Sequence, residues 1–577
     1  MATPAWFLDD EPNRRFPVYC RGNVGEIVPD VATPLSASLT TPAFVKGFGD
    51  LFGETGAFTD EELAGPAVTG GVFGGYLYFN LSFARAFAFR MPGMRVADID
   101  QQMLGSTGDP PPFRRGPGDR DIRTSARAVV AVTRLMIGRK TPDLDGQRAD
   151  VLRWVASIEA GPSDEAVLAY AAGFAEQFVG YLRTLLESSM GSGMPSALLD
   201  RLCGRAERRE PGLLVKAMSG LGTIETARPA MDLWRLGRLV ATSPELTVAF
   251  DAGVPGLLER LRASGSGDVA RFVERFDAFL AEHGHRGPRE VELASDTWAT
   301  APESALTMVE RLRFTSATAD PEDASRRLGV ERLAARARLR NRTIRPLRPL
   351  VERLLDTGAR GAARREQAKG TLVLGVSGLR TALFHVADRL VAQGHLPDRT
   401  QFFMATLDEL PQLLADPRAL AAELAERRER YEELNSLVPP FSFEGRLPDP
   451  NGWPRRTDLP SGTRPQQFTG IGVSGGTARG RARVITDPAD PRGIEPGEVL
   501  VAPLTDPAWT PLFLAAAGVV VDVGALQSHA AIVARELGIP AVVSVEHASA
   551  WIHDGDKLEV DGDRGLVRIV SGPPAPA

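Results

Sequence analysis

The chain has 577 residues, a formal net charge of −6, a pI near 5.8 and only two cysteines, Cys20 and Cys203. That length implies roughly two to four domains with substantial cores. The acidic balance excludes nucleic acid as a main partner, and two cysteines give neither a disulfide framework nor metal-ligand spacing. The stretch Met1 to Arg15 is acidic and lacks the apolar centre of a signal peptide, and no window approaches about twenty uninterrupted apolar residues. A cytoplasmic location without a membrane span is therefore expected.

Residues 1–118 are rich in Gly, Pro and aromatics, with short mixed segments. Two patterns stand out. Arg21-Gly22-Asn23-Val24-Gly25-Glu26 precedes Thr33-Pro34-Leu35, and Gly74-Gly75-Tyr76-Leu77-Tyr78-Phe79-Asn80-Leu81 is an aromatic, strand-like run. By composition alone these are loop and core, and Asn23 and Glu26 are the polar candidates for a pocket. From about Asp119 to Glu433, apolar residues recur at three- and four-residue spacing. The helices expected there are Ala126 to Ile137, Glu165 to Ser188, Pro255 to Glu282, Ser325 to Leu355 and Ala362 to Leu390. Gly191-Ser192-Gly193 and Ser264-Gly265-Ser266-Gly267 read as loops between them. Residues 1–434 thus read as one large, mostly helical domain. Its stretch 326–348 holds nine arginines, either a solvated helix face or a docking surface for an acidic partner or phosphate groups.

The most pointed motif of this domain is His283-Gly284-His285-Arg286-Gly287-Pro288-Arg289-Glu290, which closes a helix. Histidine is the usual proton acceptor near neutral pH, so His285 is the candidate base, with Arg286 holding phosphate or pairing with Glu290. Helix capping by His283 or His285 and a structural Arg–Glu pair remain open. The ligand spacing is wrong for zinc, so no metal is assigned. Arg365, with Arg364 and Glu366, and Arg380 belong either to a pocket or to salt bridges between packed helices.

Residues 435–468 carry seven prolines and little apolar periodicity, which reads as a semi-rigid, extended tether. Residues 469–577 alternate strand-like runs with short helices. The runs are Ala482 to Thr486, Val499 to Ala502, Val519 to Val523, Ala541 to Val545, Lys557 to Val560 and Leu566 to Val570. The fold class is therefore multidomain: a large α domain followed by a small α/β domain.

Within that second domain, the apolar run Gly518 to Val521 is followed by Gly524-Ala525-Leu526-Gln527-Ser528-His529-Ala530-Ala531-Ile532-Val533-Ala534-Arg535-Glu536-Leu537-Gly538-Ile539-Pro540. A strand, a glycine turn, Ser528 as cap and Gly538 with Pro540 as stop define a short helix beginning at His529. Free N–H groups and the positive end of the helix dipole converge there, making an anion site. A neutral imidazole is also a nucleophile near pH 7, because its unperturbed pKa is about 6.5. A nucleophile in a phosphate cradle points to a phosphohistidine. Gly524, Gln527, Ser528 and Thr505 are the supporting residues, and Arg535 either neutralises the phosphoryl group or pairs with Glu536 or solvent.

Ser528 to Val543 resembles the signature of the mobile phosphohistidine domain of phosphoenolpyruvate-utilising enzymes. That group includes pyruvate phosphate dikinase, rifampicin phosphotransferase and phenylphosphate synthase. The resemblance extends through Gly480-Arg481-Ala482-Arg483-Val484, Thr505-Asp506-Pro507-Ala508-Trp509-Thr510-Pro511-Leu512, Asp554-Gly555-Asp556 and Val560-Asp561-Gly562. Val523 departs from it, standing where the family commonly has a glycine. The segments at Arg21, Gly74, His283, Arg364 and Asp408 resemble the substrate-binding portion of rifampicin phosphotransferase and its relatives. The resemblance implies a swivelling domain over 469–577 that carries phosphate on His529 to an acceptor held by residues 1–434.

The 577 residues contain no Gly-x-x-x-x-Gly-Lys-[Ser/Thr] loop and no segment resembling an ATP-grasp domain. The expectation is a two-component phosphotransferase in which a partner ATP-grasp subunit binds ATP and Mg²⁺ and loads His529. The acceptor expected is an organic hydroxyl, first a phenol or alkylphenol and second an antibiotic-like alcohol. The reading from a different class is a phosphocarrier or regulatory scaffold without its own acceptor.

Overall fold

The computed structural model describes residues 6–91, 94–104, 111–116, 119, 122–137, 143–159, 161–210, 212–220, 228–265, 267–315, 320–456, 458, 464–486, 490, 493–506, 509–525 and 528–571. It has a large helical region and a C-terminal α/β domain, the expected fold class.

Two helices form the spine of the helical region, Asp164–Arg209 and Arg348–Ala392. They run against each other through a core that includes Phe174, Phe178, Leu372, Val376, Leu379 and Leu383. Gly375 makes this approach possible: a Cβ there would come within 2.8 Å of the Phe174 ring. The apolar stretch of the second helix is long enough to cross a membrane, yet it lies mostly buried in this core.

Three expected helix boundaries move. Gly191-Ser192-Gly193 lies inside the helix Asp164–Arg209, because tertiary packing overrides the weak propensity of Gly and Ser. The expected helix Pro255 to Glu282 is two helices, Leu257–Ser264 and Gly267–His283, parted within the loop expected at 264–267, where Gly265 takes φ +63°. The expected helix Ser325 to Leu355 ends as Pro321–Arg342. A 3-10 turn, Arg345–Leu347, follows with Pro346 inside it, and Pro349 then stands in the first turn of the long second helix.

The N-terminal part contributes four antiparallel strands, β1 (Val18–Cys20), β2 (Gly70–Phe73), β3 (Tyr76–Asn80) and β4 (Ser442–Glu444), in the order β2-β3-β1-β4. Strand β4 comes from the proline-rich segment expected to be an extended tether. Phe443 opposes Tyr19, and Trp453 is buried 6.0 Å from the Tyr76 ring. Much of that segment is therefore folded onto the sheet, because its few aromatic residues find apolar partners there.

The C-terminal domain is built on one mixed sheet. Its strands are β5 (Gln467–Thr469), β6 (Ile471–Ser474), β7 (Thr477–Val484), β8 (Val499–Ala502), β9 (Gly518–Val521), β10 (Ala541–Val543), β11 (Lys557–Asp561) and β12 (Leu566–Ser571). The order is β5-β12-β11-β7-β8-β9-β10-β6, with β7 to β10 parallel. The fully buried runs of β8, β9 and β10 are what a parallel sheet covered on both faces requires. Helices Thr510–Ala515 and His529–Leu537 connect β8 to β9 and β9 to β10. His529 thus starts a helix just beyond the carboxyl end of a central parallel strand, where open α/β sheets place their ligands.

The domain is docked on the helical region. Leu514 packs against the cluster containing Leu233 and Leu306, and Leu328 lies against Gly538. The Asp506 carboxylate accepts from the Arg289 backbone N–H at 3.0 Å.

Candidate functional site

The Ser528 hydroxyl accepts from the Ala531 N–H at 3.2 Å, so the helix start is capped as its sequence requires. The His529 ring is half-buried between two threonines. Its Nε2 lies 3.1 Å from the Thr510 hydroxyl and its Nδ1 lies 3.4 Å from the Thr505 hydroxyl. A neutral imidazole has one N–H and one bare nitrogen, so one threonine accepts while the other donates. Gly524 is held by close packing: a Cβ would stand 2.8 Å from Cβ of Val543, and its carbonyl accepts from the Ser544 hydroxyl.

The helical region presents Glu26 to this helix start. Arg21 lies over the Tyr76 ring at 4.5 Å and donates to the carbonyls of Val28 and Pro29 at 3.0 and 2.7 Å. Asn23 takes φ +63°, a left-handed conformation that asparagine tolerates, and opens the short helix Val24–Ile27. This strapped turn carries Glu26, whose carboxylate accepts from the His529 backbone N–H at 3.3 Å. The second face comes from Arg348–Ala392. Arg365 pairs with Glu366 at 2.8 Å, and Lys369 lies one turn on, 3.6 Å from Glu290. Arg286 grips the other Glu290 oxygen at 3.0 Å. Arg380, 1% exposed, donates to the carbonyls of Glu290 and Glu292 at 2.7 and 2.8 Å and so fixes the loop.

Burial holds the His529 imidazole down to about 3, with the charges of Lys369 and Arg286 acting the same way and Glu366 opposing. The ring is therefore neutral, and nucleophilic, throughout the physiological range. Burial pushes Glu26 up to about 7 against the opposing His529 N–H and the charges of Arg365 and Lys369. A carboxyl that changes charge near neutrality thus lies against the start of a helix bearing a neutral imidazole.

The structure brings together His529, Thr505, Ser528, Gly524, Glu26, Arg365, Arg286 and Glu290 from the residues expected in the sequence. Gln527 lies outside the described residues. Asn23 faces Met103 at 3.2 Å from its sulfur. Arg535 donates Nε to the Val473 carbonyl at 2.7 Å and ties its helix to β6; burial lowers it to about 10. His283 bonds Asp232 at 3.1 Å through Nε2. His285 lines a cleft with Arg148, Arg228, Glu282, His283 and Arg286, and burial with the Arg286 charge pushes it well below its ordinary range. Arg286 is the group whose charge reaches both His285 and His529. Lys369 and Thr510 were not among the expected site residues. The spacing of Lys369 four residues after Arg365 was the signal available, since it puts both on one helix face. Among the described residues, Asp232, Glu282 and His283 hold ligand atoms within 4.8 Å of one another.

Residues 184–366 match the model of the rifampicin phosphotransferase fourth domain, and residues 494–565 match the PEP-utilising enzyme mobile domain. A Streptomyces rifampicin phosphotransferase is 33% identical over 358 residues, covering 60% of this chain and 40% of that protein. The prodigiosin synthesizing transferase PigC of Serratia marcescens is 31% identical over 404 residues, covering 65% and 43%. An uncharacterized protein of Mycobacterium tuberculosis is 30% identical over 583 residues, covering 98% of this chain and 62% of its own length. The chain thus spans less than two thirds of each of these relatives. His529 falls within residues 494–565, the stretch that matches the PEP-utilising enzyme mobile domain.

Proposed function

We propose that this chain is the acceptor-binding and phosphohistidine-bearing part of a phosphotransferase, in which His529 receives a phosphoryl group and passes it to an organic hydroxyl. The observation that carries the reading is the neutral His529 at a capped helix start, facing Glu26, Arg365 and Lys369. ATP, with Mg²⁺, is the donor we assign to a nucleotide-binding module outside these 577 residues, on a partner chain.

In the transfer step, the acceptor oxygen attacks the phosphorus. The N–P bond breaks, its electron pair returns to the His529 ring nitrogen, and the hydroxyl proton goes to Glu26. We place this proton on Glu26 rather than His285, because Glu26 touches the His529 helix start and titrates near neutrality. Lys369 and Arg365 offset the charge of the phosphoryl oxygens. Glu26 and the His529 N–H are in contact in the docked state, so the acceptor enters before the carrier domain seats.

The acceptor class is an aromatic hydroxyl, with a phenol first. The relatives named for rifampicin favour a second reading, an antibiotic-like alcohol. The test is labelling of the full chain with radioactive ATP in cell extract, comparing wild type with His529→Ala. An acid-labile label on wild type only, discharged in parallel trials by phenol or rifampicin, is the expected result. Equal labelling of both chains overturns the assignment of His529.

A further inference from the structure

A small cleft holds His285 and is lined by Arg148, Arg228, Glu282, His283, His285 and Arg286. Three elements converge on it: the helix Leu144–Ala156, the first turn of Arg228–Thr242, and the end of Gly267–His283 with its following loop. Five of its six lining side chains are arginine or histidine. The acids beside it are largely committed. Asp232 bonds His283 at 3.1 Å and Arg235 at 2.7 Å, and Glu290 is held between Arg286 and Lys369. Glu282 is exposed to solvent.

A second observation points the same way. Nε2 of His285 is buried and has no hydrogen-bond partner among the described residues. A buried polar atom left unbonded carries a free-energy cost, and cations crowded together in a partly buried cleft repel one another. Both costs fall if a small anion occupies the cleft. The space is far smaller than a drug-sized ligand needs, so an occupant is a small ion or a single charged group of a larger molecule that reaches in from solvent. The Asp232, Glu282 and His283 cluster in one wall is a poor cation site, since Arg235 already pairs with Asp232 and three arginines line the same space.

We propose that this cleft is an oxyanion site that takes a phosphate group through Arg148, Arg228 and the Nε2–H of His285. Arg286 links it to the His529 site, so bound phosphate and the carrier histidine act on a common guanidinium. The group comes either from free orthophosphate or from a phosphate ester. The inference stands on the cleft itself and does not require His529 to carry phosphate.

The test is calorimetric titration of the full chain with orthophosphate, and separately with phenyl phosphate, at constant ionic strength against chloride. Wild type and His529→Ala are expected to bind phosphate alike. Arg228→Gln, at an exposed helix start, and His285→Gln are expected to weaken binding about tenfold or more, with far-UV circular dichroism confirming the fold. Tighter binding of orthophosphate identifies the free ion as the ligand; tighter binding of the ester identifies an ester-borne group. The proposal is overturned if wild type binds phosphate no better than chloride, if Arg228→Gln binds like wild type, or if His529→Ala abolishes binding.

Discussion

Glu26 and His529 divide the titration of the site between them. Burial lowers the free His529 imidazole to about 3, so protonation of that ring does not set a pH response near neutrality. In the proposed transfer step, Glu26, raised from 4.5 to about 7, takes the acceptor's proton only when ionised. The expected kcat/KM for phosphoryl transfer therefore rises with pH through about 7. Glu26→Gln should flatten that limb and lower the rate by about 10² to 10⁴-fold, as measured by discharge of the labelled chain. Stability runs in the opposite direction. A carboxyl whose folded pKa is raised contributes stability that is complete below 4.5 and lost as pH rises through about 7. The wild-type melting temperature should therefore fall between pH 5 and 8 relative to Glu26→Gln. Gly524 supports the same site by its size. Gly524→Ala sets a methyl 2.8 Å from Val543 and is expected to cost about 1–3 kcal/mol, read in a urea melt of the full chain.

At the scale of elements, the loop after His283 depends on a helix far along the chain. Arg380→Met removes two bonds to buried carbonyls, those of Glu290 and Glu292, and is expected to destabilise by about 2–5 kcal/mol in thermal denaturation. The glycine-broken loop itself was legible, because His283 ends a periodic helix and Gly284 cannot extend it well. So were β8 and β9, whose continuous apolar runs have few other readings, and the Ser528 cap of the His529 helix. Helix ends inside the α region were not legible. Packing carried the helix through Gly191 to Gly193, and the turn at 345–347 broke a run whose periodicity continued across it, whereas the break at Gly265 was legible in the glycines of 264–267. The partners of His529 were partly hidden for a different reason. Lys369 lies on a helix dense with charges, and nothing in its local pattern says which ones meet a histidine 160 residues later. Thr510 was hidden likewise, since a threonine at a helix start is ordinary.

For the molecule as a whole, the docked arrangement predicts that loading and discharge of His529 separate. Leu328 lies against Gly538 on the carrier domain, away from the His529 helix start. Leu328→Asp is expected to leave ATP-dependent labelling of His529 unchanged and to slow discharge to the acceptor on the order of tenfold, the effect of losing one apolar contact. Rapid-quench measurement of the two steps checks this. The folding of the proline-rich segment onto the N-terminal sheet sets a further bound. Arg456 is held to Asp30 at 3.1 Å, and Asp458 closes a turn with Arg455. On the other side, Arg464 is fixed to the carrier domain through the Trp551 carbonyl and Asp556. Between those moorings the chain has six Cα steps, from 458 to 464, and a fully extended leash of that length reaches about 20 Å. While both moorings hold, that length bounds how far the C-terminal domain can move from the N-terminal sheet, and the proposed phosphoryl donor would have to reach His529 within that short radius.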